Sequence, residues 1–282
     1  MKIKHIFLTV LATIITTSAI GQEFQGVATY KTKRKLNLKL DSTQMNADMQ
    51  KRIMERMKKQ FEKTYKLTFN KESSIYKEEE SLGAPQTTGG NVRMIMVDAR
   101  GGDIIYKNIK ENRYAKQNDV FGKIFLVKDN LKKLNWKLGS ETKNIGDYTC
   151  YKATMKRMQR VAPMGSISLN GDRDMDRKET EAEMEEITIT AWYTPQVSIN
   201  SGPGNYYGLP GLILEVNDGI ETVICSKIVM NPKNKVHIVE PSKGKVMTQE
   251  KFDILIEKKM KEMRERNKGR RGGHLLEVRV GG

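Results

Sequence analysis

The sequence predicts an α+β fold that is mainly antiparallel β, a curved sheet or half-barrel packed by two amphipathic helices. Three observations predict it. Short alternating segments separated by turn residues recur from Gly26 to Val229, the mark of an antiparallel meander and not of βαβ units. A segment from Asp41 carries apolar residues at four-residue steps, which places one helix near the N-terminus. A second such segment from Thr248 places another near the C-terminus.

The chain opens with Lys2 and Lys4, an apolar run from Ile6 to Ile15, and then Thr16, Thr17 and Ser18. Ala19 and Gly21 stand at the −3 and −1 positions of a small-residue cleavage site. This is the layout of a secretory signal peptide over residues 1–21, leaving Gln22 as the mature N-terminus. The apolar run is shorter than the ~20 residues a membrane helix needs, and no later segment reaches that length. The expected location is therefore across the inner membrane, in the periplasm or at the outer membrane. The expected organisation is a single antiparallel-sheet domain over 22–266, with a charged insertion at about 158–186 and a flexible Gly/Arg-rich tail over 267–282.

Gly26–Thr32 alternates and reads as the first strand. Met45, Met49, Ile53, Met57 and Phe61 then form an apolar stripe, capped by Asp41 and Ser42. Methionine at this spacing fills irregular gaps against a sheet. Seven short strands follow: Thr64–Asn70, Ser74–Glu79, Val92–Val97, Asp103–Asn108, Arg113–Gln117, Gly122–Val127 and Leu134–Leu138. Met158–Glu186 holds Pro163, Gly165, Gly171 and a charged run, and reads as a loop or short helix set between strands. Ile187–Thr194 restarts the sheet. Leu212–Val216 and Thr222–Val229 form a hairpin around Asn217-Asp218-Gly219. The last helix presents Phe252, Leu255, Ile256, Met260 and Met263 on one face, with Thr248 as its cap.

Lys and Arg number 50 against 34 Asp and Glu, a formal charge of +16 that drops by two without the leader lysines. Such a balance favours anionic partners such as envelope lipid or acidic protein faces. Export argues against nucleic acid. The two cysteines, Cys150 and Cys225, lie in strand-like segments. Outside the cytoplasm they form a candidate disulfide, with two separate buried thiols as the alternative.

Candidate catalytic residues are few. The mature chain carries His237 and His274 only, and GxSxG and HExxH are missing. Asp172, Asp174, Asp176 and Glu183 imitate a calcium loop, but Arg177 occupies the position where glycine makes the turn. Asp98 and Asp103 read as turn residues around Gly101-Gly102. The expectation is no catalytic residue, no metal and no cofactor.

The most specific segment is Ala191–Val216, with Pro195, Gly202-Pro203-Gly204 and Gly208-Leu209-Pro210-Gly211 making three rigid turns among aromatics. Gly208, Leu209, Pro210, Gly211, Leu212 and Ile213 spell GLPGLI, and the chain resembles the GLPGLI family of Bacteroidetes proteins. The likeness extends to the Trp136 strand, Ile145–Thr154 and the cysteine hairpin. That resemblance implies an exported envelope protein with no catalytic residues to carry over. The meander also resembles LolA-like half-barrels, in architecture only. The function expected is a non-catalytic binding or accessory protein of the cell envelope, holding lipid, another apolar ligand or a partner segment. The alternatives are an interaction subunit of an outer-membrane transport system, docking on an outer-membrane protein or anionic envelope lipid, and a hydrolase.

Overall fold

The computed structural model describes residues 24–34, 48, 51–52, 55, 62–79, 93–98, 104–120, 122–161, 183–268 and 275–280. The strands are β1 (Gln25–Arg34), β2 (Thr64–Asn70), β3 (Ser73–Glu78), β4 (Arg93–Asp98), β5 (Ile104–Asn108), β6 (Arg113–Val120) and β7 (Lys123–Asn130). They continue as β8 (Lys137–Ile145), β9 (Tyr148–Val161), β10 (Glu183–Thr194), β11 (Leu212–Asn217), β12 (Glu221–Met230) and β13 (Lys245–Met247). Helix α1 (Gln249–Lys268) and strand β14 (Leu275–Val280) close the order.

Twelve strands form one open sheet, in the order β13-β7-β6-β5-β3-β2-β1-β12-β11-β10-β9-β8. Every pairing in it is antiparallel except the short β13 on β7. Two meanders, β2 to β7 and β8 to β12, are joined by β1, which lies between β2 and β12. Chain length then dictates curvature. β7 and β8 are ten strand steps apart, about 48 Å in a flat sheet. The six residues Leu131–Trp136 connect them, and fully extended they reach only about 25 Å. The sheet must therefore curl until its two ends approach. The main core bears this out, since it gathers Tyr30, Leu67, Tyr76, Ile105, Cys150, Leu214 and Cys225 from seven different strands.

The α+β expectation is overturned: the fold is nearly all sheet. α1 forms where its spacing predicts, with Phe252 N donating to Thr248 O at 3.1 Å and Thr248 Oγ1 capping Lys251 N at 3.4 Å. Yet among the described side chains of its apolar face only Phe252 is buried, packed edge-on to Phe125 of β7, and the Met263 side chain lies outside them. Leu255, Ile256 and Met260 are half-exposed, so α1 does not cover the sheet. The expected N-terminal helix reaches the described residues only at Asp48, Lys51, Arg52 and Glu55, all helical and exposed. Its stripe from Met45 to Phe61 lies outside them. The physical reason for the correction is the curl: a sheet that folds back on itself buries its own face and needs no helical layer.

Smaller departures follow the same logic. β9 and β10 pair from Tyr151–Tyr193 out to Val161–Glu183, so both ends of the expected insertion are strand. Residues 162–182, including the calcium-like acidic run, lie outside the described residues. Trp136 precedes its strand, because β8 begins at Lys137. In the expected tail, Leu275–Val280 pairs in parallel with Arg93–Asp98.

Candidate functional site

The segment from Pro195 to Gly211, between β10 and β11, is where the sequence reading and the structure converge. Its local shape follows from its residues. Gly204 and Gly208 take φ of 54° and 86°, conformations that glycine adopts at little cost. Gly208 N donates to Asn200 O, and Ser201 bridges Tyr207, which folds the segment into a compact turn. Leu212 N and Ile213 N donate to Val197 O and Ser201 O at 3.0 Å each, tying the loop to the start of β11. Gly211 is buried, with φ of 152°, and a Cβ there would collide with the Thr194 carbonyl. Gly202 is equally confined, against the Ile213 side chain.

Of the hexapeptide, Leu209, Gly211, Leu212 and Ile213 are buried, while Gly208 and Pro210 are exposed. β11 is apolar without alternation because it is covered on both faces. Leu212 and Leu214 join the main core, while Ile213 and Val216 join a second cluster with Ala153, Ile189 and Leu209. Tyr30 Oη donates to Ile213 O at 2.7 Å, and Trp136 Nε1 to Tyr207 O at 2.9 Å. Tyr207 Oη in turn donates to Lys132 O. The loop is thus stitched to the link that closes the curl.

The far side of the loop rests on residues the sequence reading did not single out. Lys107 of β5 is 1% exposed. Its ammonium donates to Gly202 O at 2.8 Å, Gly204 O at 2.8 Å and Tyr206 O at 3.2 Å. Ser74, its cross-strand partner on β3, shares a hydrogen bond with Ser201, Oγ to Oγ 2.8 Å. An ammonium has three N–H groups, and each meets a backbone carbonyl. Burial nevertheless pulls its pKa from 10.5 down to about 7, because desolvation penalises the charged form. One signal in the sequence could have found it. In Ile104–Asn108, the period of two puts Lys107 on the same face as the core residue Ile105.

Cys150 and Cys225 are both buried in the main core, yet both are free thiols, and the expected disulfide is not formed. Cys150 Sγ donates to Tyr148 O and Cys225 Sγ to Lys227 O. Their strands, β9 and β12, have β10 and β11 between them, so the two cysteines share a core without being ladder neighbours. Burial pushes both thiols up to about 11. His237 is exposed. Among the described residues no group of three His, Cys, Asp or Glu could hold a metal ion, and no helix is long and apolar enough to cross a membrane.

Residues 136–215, from Trp136 into β11, match a family model described as "Protein of unknown function (Porph_ging)". The match fits a family of the Bacteroidetes type and takes in the whole loop. No curated protein matches the chain. Among solved structures, "Structure of PNGF-II in C2 space group" is similar at 15% identity over 83% of this chain, with a TM-score of 0.46. "Structure of PNGF-II in P21 space group" is similar at 15% identity over the same share, with a TM-score of 0.45. This chain spans 33% of the length of each.

Proposed function

We propose that the chain is an exported GLPGLI-type protein of the cell envelope that binds without catalysis, holding a segment of a partner protein at the open edge of its sheet. One contrast supports the reading. The core face, where an apolar ligand would lodge, is packed by the chain's own Val197 and Ile199 against Tyr30, Tyr65 and Tyr76. The last strand in the order, β8, has no strand on its outer side among the described residues, and seven of its nine residues are exposed.

An extended partner would add to such an edge through backbone hydrogen bonds, with specificity from side chains on the two faces. Gly139 and Ser140 leave the middle of the strand without bulk. Lys143, near its end, is turned onto the sheet, over the Trp192 ring and against both oxygens of Glu215 at 2.8 Å. Chemistry of this kind needs no nucleophile.

A photoreactive residue at Ser140, compared with one at the exposed Lys227 of β12, tests the proposal in the host envelope. Cross-linking from Ser140 to one defined protein, with none from Lys227, is the expected result. Intact mass spectrometry showing bound lipid, with no cross-link from Ser140, would overturn it in favour of an apolar ligand.

A further inference from the structure

The attachment of the 195–211 loop is asymmetric. On the β11 side it is held by backbone hydrogen bonds and by the collision-free fit of Gly211. On the β3–β5 side the polar attachment is one buried amine and one serine pair. Val197 and Ile199 supply the apolar contact with the same face. We propose that Ser201–Tyr207 is a latch that opens as a unit, closed by Lys107 and Ser74 together with the Trp136–Tyr207, Tyr207–Lys132 and Ile213–Ser201 bonds, and loosened by acid.

The direction of the pH effect follows from the two states of the amine. In the open state Lys107 meets water and titrates near its ordinary 10.5. In the closed state burial holds it near 7. Between those values closure releases a proton, so rising pH favours the closed loop, by up to tenfold per pH unit. Below about pH 7 the ammonium is charged in both states and the effect levels off. The neutral amine keeps two N–H donors, enough for the two carbonyls at 2.8 Å, and gives up the longer bond to Tyr206 O.

Ser74 of β3 is neutral, and the loop presents backbone carbonyls with Tyr206 and Tyr207. On β6, Tyr114 stands opposite Lys107 and the buried Lys116 opposite Ile105. Tyr114 is itself raised above 10, by burial first and then by Asp129, Asp253 and Tyr207, so it stays neutral across the window.

Hydrogen exchange at Gly208 and Ile213, whose amides bond within the loop, measures the latch directly. The amide of Leu67 in the core serves as the monitor of global unfolding. In the wild type, after correction for intrinsic exchange, the opening constant of the two loop amides should fall severalfold to tenfold per pH unit between pH 7.5 and 9.5. Lys107→Arg stays charged throughout and should abolish that slope. Ser74→Ala should raise opening at every pH while leaving the slope intact. A wild-type opening constant that does not change with pH overturns the proposal. So does a slope that persists in Lys107→Arg, or loop amides that exchange only with Leu67.

Discussion

At the scale of single residues, two glycines three positions apart separate conformational strain from collision. Gly208 has positive φ in open space, so Gly208→Ala should cost about 1–2 kcal/mol through backbone strain alone. Gly211 adds a clash with the Thr194 carbonyl, and Gly211→Val should cost about 3 kcal/mol or more. Urea melts of both variants decide the order, and a Gly211→Val protein that melts like wild type would sink the account. The cysteines give a second residue-scale prediction. Burial and thiol pKa values of about 11 leave little thiolate at neutral pH. The native protein should therefore resist a thiol reagent at pH 7.5, while the denatured, unreduced protein should release two thiols. Finding none after denaturation would restore the disulfide.

At the scale of elements, α1 shows how far periodicity can mislead. Its apolar spacing is helical and the helix forms, yet among the described residues its docking lies in its first turns. There Phe252 meets Phe125, Gln249 N bonds Asp129, and Tyr114 Oη bonds Gln249. Phe252→Ala should cost about 3 kcal/mol, in the range for emptying a buried aromatic site. Ile254→Ala, at a position 60% exposed, should stay within about 0.5 kcal/mol. Equal effects in thermal melts would mean that α1 lies flat on the sheet after all. β11 is the converse case. Its run of Leu212, Ile213 and Leu214 lacks the alternation of a half-exposed strand because β11 is buried on both faces.

For the molecule as a whole, curvature is the governing property. It follows from a six-residue link between strands ten steps apart, and it brings Lys107, Ser74 and Trp136 around one loop. The proposed export belongs to this scale too. The mature protein recovered from the envelope should begin at Gln22, and intact mass spectrometry checks it. An N-terminus more than a few residues away would reject the cleavage assignment, and an uncleaved chain in the cytosol would reject export.

The sequence by itself determined several of the strands and turns. Alternation in Thr64–Asn70, Arg113–Gln117 and Ile187–Thr194, and the turn chemistry of Asn217-Asp218-Gly219, are local properties that each segment carries in its own residues. The hairpin confirms this, with Asp218 Oδ1 accepting from Ile220 N and Glu221 N around Gly219 at φ 90°. The singularity of Gly208–Ile213 was equally legible. Tertiary structure alone decided that the sheet curls over its own loop and that a lysine sits beneath that loop. It also decided that Cys150 and Cys225 remain free thiols in one core. The reason is physical: alternation tells which face a side chain takes, but burial depends on what lies against that face. Here the covering segment arrives from 95 to 99 residues further along the chain, and no local pattern around Lys107 encodes its arrival.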